Sequence, residues 1–166
     1  MVFFAAMEWN NPRTLAFEGA GAFDKLNNAW FQSTTTRTAG FSSFEQNGMR
    51  DASLIVGAIL MFIGASPAST GGGIKTTTIF VLAVLIRSVF YGNSDVNAFR
   101  RRLPLAVIRT ALSIFVINFV LLMIGAVFLS LSEEGRGFRM LDLIYEQVSA
   151  LATVGLSSLG TGRLSQ

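Results

Sequence analysis

Two stretches of this 166-residue chain place a threonine, one further residue and a glycine in the same order, 115 positions apart. Thr38-Ala39-Gly40-Phe41-Ser42-Ser43 aligns without gaps on Thr153-Val154-Gly155-Leu156-Ser157-Ser158. Upstream the same register pairs an aromatic residue, Trp30 with Tyr145, and a glutamine, Gln32 with Gln147. The shared Thr-x-Gly core carries no acid, base or strong nucleophile, so the chemistry it offers is that of main-chain oxygens. A run of residues in an extended turn can aim successive carbonyls at one axis. Glycine allows the backbone angles this requires, and a threonine hydroxyl can add an oxygen at the inner end. Carbonyl oxygens at matching distance can replace the hydration shell of a potassium ion. One turn supplies only a few such oxygens, so several must surround the axis, and two are visible here.

The elements that must hold these turns are short. Phe23–Thr36 and Leu141–Ala152 are apolar but too short or too polar to span a bilayer, and segments of about 10–14 residues are typical of re-entrant pieces. A helix ending at the turn would point its partly negative C-terminus toward a cation. The clearest spanning segment is Ala111–Leu131, twenty-one residues without a charge. Its polar intruder, Asn118, is read as a helix–helix hydrogen bond in preference to part of an ion path. A second apolar region, Ala52–Phe90, is interrupted by Ala65-Ser66-Pro67-Ala68-Ser69-Thr70-Gly71-Gly72-Gly73. Proline lacks a backbone donor and consecutive glycines favour leaving the helix, so this reads as one membrane element broken in its middle. Broken backbone at membrane depth is tolerated only where protein or water satisfies its freed polar groups, which points to a water-filled pathway.

Composition agrees with lipid as the solvent. Hydrophobic residues make up 51% of the chain and charged ones 14%, against about 25% charged in soluble domains. With no cysteine and no histidine, disulfide frameworks, thiol nucleophiles, histidine metal sites and Ser-His-Asp catalysis are all excluded. The chain is not expected to be an enzyme. Arg87, Arg100, Arg101, Arg102 and Arg109 face the single acid Asp95 between the two long apolar regions, which makes that loop cytoplasmic by the positive-inside rule. The Arg100–Arg102 run reads as this topology signal or a lipid-headgroup contact, not a nucleic-acid patch, because no aromatic stacking platform accompanies it. No cleavable signal is evident at Met1–Met7, which could be the tail of a membrane helix.

At these motifs the sequence resembles the Trk/Ktr/HKT potassium transporter superfamily, in particular its KtrB-type membrane subunits. Thr36–Phe41 and Thr153–Leu156 look like that family's filter loops, and Ile63–Thr78 looks like its third-repeat inner helix. The resemblance covers almost the whole chain. It implies an all-α membrane protein of helix–pore-loop–helix repeats, with re-entrant pore helices and a broken inner helix. Residues 1–103 would be most of one repeat: pore helix about 22–36, filter loop 37–43, broken inner helix 50–91 and cytoplasmic linker 92–103. Residues 104–166 would be the outer helix, pore helix and filter loop of the next. The implied function is potassium passage through backbone carbonyls of Thr38, Ala39, Gly40, Phe41, Thr153, Val154, Gly155 and Leu156. The gate implied beneath them is Ala65, Ser66, Pro67, Ala68, Ser69, Thr70, Gly71, Gly72 and Gly73. K+ is the transported ion and no cofactor is expected. The implied partners are the bilayer, a second copy of the subunit and a cytoplasmic nucleotide-binding RCK subunit, with no nucleic acid. The implied location is the plasma (inner) membrane, crossed several times. Each turn keeps one glycine where a Thr-Val-Gly-Tyr-Gly filter has two, which leaves fewer constraints on carbonyl geometry.

Three rival readings use the same residues. Lys75-Thr76 imitates the end of a phosphate-binding loop, but Ile74 stands where the last glycine belongs and no magnesium-holding Asp follows an apolar run. An ion-coupled transporter of another solute also uses broken helices, though repeated Thr-x-Gly turns suit stacked carbonyls better than a solute pocket. A membrane anchor leaves both turns unexplained. Among single residues, Lys75 either sits near the pore and repels cations, or snorkels or pairs with a carbonyl. Arg37 is expected to brace its turn through carbonyls or an acid. Asp142 and Glu146 could attract cations or pair with Arg139, and their helical spacing favours an exposed face.

Overall fold

A computed structural model describes residues 1–17, 19–92, 95–99, 101–134 and 137–159. Arg100 of the basic run, Asn93 and Ser94 of the linker, and residues 160–166 of the second unit lie outside the described residues. The described chain is mostly helical. Helix α1 spans Val2–Glu8, α2 Ala22–Thr35, α3 Asp51–Phe62, α4 Thr76–Phe90, α5 Leu105–Ser132 and α6 Met140–Leu151. A single 3-10 turn at Gln46–Gly48 precedes α3. A two-stranded antiparallel hairpin, β1 (Asn97–Ala98) and β2 (Arg101–Arg102), lies between α4 and α5.

Local chemistry explains most element boundaries. Asp24 sits in the first turn of α2 and accepts the Gly21 N–H at 3.0 Å, an arrangement that suits the positive end of a helix dipole. Pro104 precedes α5 with φ −60°, and its missing donor costs nothing where helical N–H groups are orphaned anyway. Starting there, α5 runs 28 residues, about 42 Å at 1.5 Å per residue. It therefore begins earlier than the charge-free stretch Ala111–Leu131 and takes Arg109 into its first turns.

Helix α5 is long and apolar enough to cross a membrane, with a mean hydropathy of 2.7 and only 11% of that stretch buried. Ile117, Ile124 and Phe128 are each more than half exposed. Water would penalise that much bare apolar surface, whereas hydrocarbon would not. Asn118 donates to the Ile114 carbonyl of its own helix at 2.8 Å. Among the described residues its hydrogen bond is this intrahelical one, and the expected bond to another helix is not seen. Helices α3 and α4 are 12 and 15 residues long, each too short to span alone.

The core lies where α3 packs on α6. Leu54, Ala58 and Met61 of α3 meet Tyr145 and Val148 of α6, and Val154 and Leu156 extend the same cluster. Helix α5 packs against both α4 and α6, and α6 packs in turn on α3. A smaller cluster of Val81, Ile108 and Ala111 joins α4 to the start of α5.

Candidate functional site

Each Thr-x-Gly turn follows a short helix whose last backbone bonds set its course. After α2, the N–H groups of Ala39 and Gly40 both donate to the Thr35 carbonyl, at 3.2 and 3.4 Å. After α6, Val154 donates to the Ser149 carbonyl at 2.9 Å and Thr153 to Ala150 at 3.1 Å. In both turns the threonine and the glycine take positive φ: Thr38 67° and Gly40 77°, Thr153 54° and Gly155 89°. Left-handed angles cost a residue with a Cβ about 1–2 kcal/mol, so matching Thr angles at matching positions are held by their surroundings.

The two turns lie against each other. A Cβ on Gly40 would fall on the Val154 carbonyl oxygen and 3.8 Å from the Gly155 Cα. Val154 and Leu156 are buried in the core, while Thr153 and Gly155 are exposed. In the first turn Phe41 is 72% exposed, and Ala39 is also exposed.

The Gly-rich interruption reaches both turns. The break runs from Ile63 to Lys75, wider than Ala65–Gly73, and its ends are tied by a parallel bridge between Ile63 and Ile74. Ile74 N–H donates to the Phe62 carbonyl at 3.0 Å. Helix α3 stands where a phosphate-binding loop would need a strand. Within the loop, Gly72 N–H donates to Thr153 Oγ1 at 3.0 Å, and Gly71 abuts the Thr38 side chain. Small residues are needed at this meeting, since a Cβ on Gly72 would come within 2.7 Å of the Ala152 carbonyl oxygen. Lys75 Nζ donates to the Ser69 carbonyl at 3.1 Å and to the Gly71 carbonyl, so it folds the loop back on itself. Ser66–Thr70, including Pro67 and Ala68, form the loop's exposed crest.

Several side chains behave differently from the sequence reading. Asp142 and Glu146 are buried, 6% and 7% exposed, because α6 turns that face toward the protein. Arg139 grips Asp142 at 2.9 and 3.1 Å and reaches Asp51, at the start of α3, at 2.6 Å. The Asp142 hydrogen bond and charge hold the Arg139 pKa above its ordinary value. Glu146 Oε1 accepts from Ser157 Oγ at 2.5 Å and from the N–H groups of Ser158 and Leu159 at 2.8 and 3.0 Å. It therefore braces the chain leaving the second turn. Arg37 is exposed, and among the described residues its side chain has no hydrogen bond or ion pair, so it does not brace the first turn. That work falls to Thr35, whose hydroxyl donates to the Phe41 carbonyl.

Two buried groups escaped the sequence reading. Glu8, at the end of α1, accepts from Arg50 N–H at 2.9 Å, Ser53 Oγ, Asn11 Nδ2 and Thr14 Oγ1 at 2.9 Å. A carboxylate closing an apolar helix and followed by Asn-rich sequence was the available signal. Gln46, between the first turn and α3, joins Gln32 of α2 to Tyr145 of α6. Nothing in the sequence marks Gln46. Among the described residues no cluster of three or more acids, histidines or cysteines could hold a metal ion.

A mostly helical chain with one long lipid-suited helix, two Thr-x-Gly turns in contact and a broken helical element against them suits a membrane transport protein. The sequence model of the TrkH family, described as a cation transport protein, matches residues 3–165, and the chain belongs to that family. It is 35% identical over 151 residues to the Ktr system potassium uptake protein B of Bacillus subtilis, covering 91% of this chain and 33% of that protein. It is 32% identical over 165 residues to the protein of the same name from Vibrio alginolyticus, covering 99% and 35%. It is 36% identical over 135 residues to the potassium/sodium uptake protein NtpJ of Enterococcus hirae, covering 81% and 30%. The chain thus spans about a third of the length of these relatives.

Proposed function

We propose that this chain forms part of the pore of a potassium uptake protein, with Thr38–Phe41 and Thr153–Leu156 contributing main-chain oxygens to its filter. The observation that carries the reading is the pair of turns lying in contact with the same left-handed positions at Thr and Gly. Backbone oxygens held by buried bracing cost little to reorganise when an ion arrives, which is what exchange for hydration water requires. Two turns make half of a ring at most. The remaining oxygens come from equivalent turns elsewhere in a full-length subunit of several membrane crossings, and each relative's name attaches to such a longer protein.

In this reading Ala65–Gly73 obstructs the path below the filter, and Lys75 serves by holding the loop closed and not by meeting ions. The amine already donates to two loop carbonyls. The loop and hairpin around Arg87–Arg109 face the cytoplasm, where an RCK-type nucleotide-binding subunit docks, and the complete subunit pairs with a second copy. An ion-coupled transporter of another solute has no specific observation in its favour.

The test is potassium-dependent growth and uptake in a transport-deficient host carrying the full-length gene. Gly155→Ser is expected to lower the preference for potassium over sodium, and deletion of Ala65–Gly73 to raise cation flux. An unaltered ion ratio in the first contradicts the filter assignment, and unchanged uptake in the second contradicts the gate.

A further inference from the structure

The two turns stand at the ends of helices from different units, so something must set the distance between those helices. The side chain of Gln46 does this. Its Oε1 accepts from Gln32 Nε2 at 2.7 Å and from the Tyr145 hydroxyl at 3.1 Å. Its Nε2 donates back to Gln32 Oε1 and to the Phe44 carbonyl, both at 3.3 Å. The remaining Gln32 N–H points to Met49 Sδ at 3.7 Å. Gln32 and Tyr145 are fully buried and Gln46 is 3% exposed. The reciprocal amide pair leaves neither glutamine an unmatched donor, so the orientation of all three groups is fixed without water.

The placement suits control of the turns. Gln32 lies three residues before the end of α2, and Tyr145 six before the end of α6. Tyr145 reaches Gln46 past Gly57 of α3, where a Cβ would lie 3.3 Å from the ring. A buried polar bridge inside an apolar core gains little over well-packed hydrocarbon, and its best-attested use is to specify one geometry among several.

We propose that Gln32, Gln46 and Tyr145 are positioning residues that fix the separation of the two turns and thereby the preference for potassium over sodium. The proposal rests on the filter reading above. Carbonyl spacing decides which ion is compensated for its lost water, and the bridge spans the two helices whose ends carry those carbonyls. Tyr145→Phe removes one hydroxyl and keeps the ring; Gln46→Met removes the hub at nearly constant volume.

The experiment measures uptake of potassium and sodium by the full-length protein in a transport-deficient host, with melting temperature in detergent read in parallel. Tyr145→Phe is expected to lower the potassium-to-sodium preference about threefold to fivefold, the scale of one buried hydrogen bond, while the maximal rate stays within about twofold. Gln46→Met is expected to shift the ratio at least as far, and Tyr145→Phe with Gln46→Met no further than Gln46→Met alone, because both act through one bridge. A lowered melting temperature with an unchanged ratio in Tyr145→Phe overturns the proposal and leaves the bridge purely structural. Should Gln46→Met fail to accumulate, Tyr145→Phe decides alone. Gly155→Ser is the control. If it shifts the ratio and the bridge variants do not, the bridge proposal fails; if it too is silent, the filter reading fails first.

Discussion

The first and second turns have nearly the same backbone and very different surroundings. Both place a left-handed threonine two residues before a left-handed glycine. Yet the second is pinned from behind by Glu146 and has Val154 and Leu156 sunk in the core, whereas the first is tied by one Thr35 hydroxyl and leaves Phe41 exposed. The positions aligned with Glu146 and Thr35 are Phe31 and Ala150, so neither brace has a counterpart in the other turn. The same Thr and Gly angles thus recur in both turns, while the side chain that ties each turn comes from a different position of the helix before it.

The largest expected effect separates the two glycines. Gly40→Ala drives a methyl group onto the Val154 carbonyl oxygen, backbone that cannot step aside, and should abolish potassium uptake. Gly155→Ala meets nothing within 4 Å. It pays only the left-handed strain of about 1–2 kcal/mol and should keep partial uptake. Equal loss in the two variants would break the comparison, because both turns would then tolerate no side chain for the same reason.

Next in size is Glu146→Gln, which weakens the charged acceptor of three donors and should destabilise the protein by about 2 kcal/mol. Phe31→Leu at the aligned position should cost less than about 1.5 kcal/mol. Thermal unfolding in detergent measures both, and a larger drop for Phe31→Leu would mean the bracing has been assigned to the wrong turn.

A smaller difference concerns the Gly-rich loop. Thr153 accepts the Gly72 N–H, whereas the Thr38 hydroxyl donates to its neighbour Arg37. Thr153→Val should loosen the loop by about 1 kcal/mol and Thr38→Val should not. A spin label at exposed Thr70 reports this as increased mobility in the first variant alone; equal mobility in both would deny the loop its one-sided attachment. The least effect is expected of Thr35→Val, which removes the single side-chain tie on Phe41 and should lower stability by no more than about 1 kcal/mol.

Much of the architecture was legible in residue order. The charge-free run from Ala111 announced α5, and Pro67 with Gly71–Gly73 announced the break, because hydrophobic length and backbone permissiveness are local properties. The break proved wider than its glycines, since Ile63 and Ile74 leave the helices to pair with each other. The i,i+4 spacing of Asp142 and Glu146 suits a solvated face, but α3 and the chain beyond the second turn cover it instead.

The repeat illustrates the division most sharply. Sequence alignment pairs Trp30 with Tyr145 and Gln32 with Gln147, but the structure joins Gln32 to Tyr145 through Gln46. Trp30 is left 58% exposed and Gln147 packs beside Gly125 of α5. What the sequence determined by itself was the glycine that each turn requires, the apolar length of α5 and the place where α3 must stop, whereas the left-handed angles at Thr38 and Thr153 are held by their surroundings. The first three depend on Cβ sterics, hydrocarbon thickness and missing backbone donors, all readable within a few residues. Only the tertiary structure decided which copy of each repeated side chain is buried, since that depends on residues up to 99 positions away packing against a face that the helix itself does not choose.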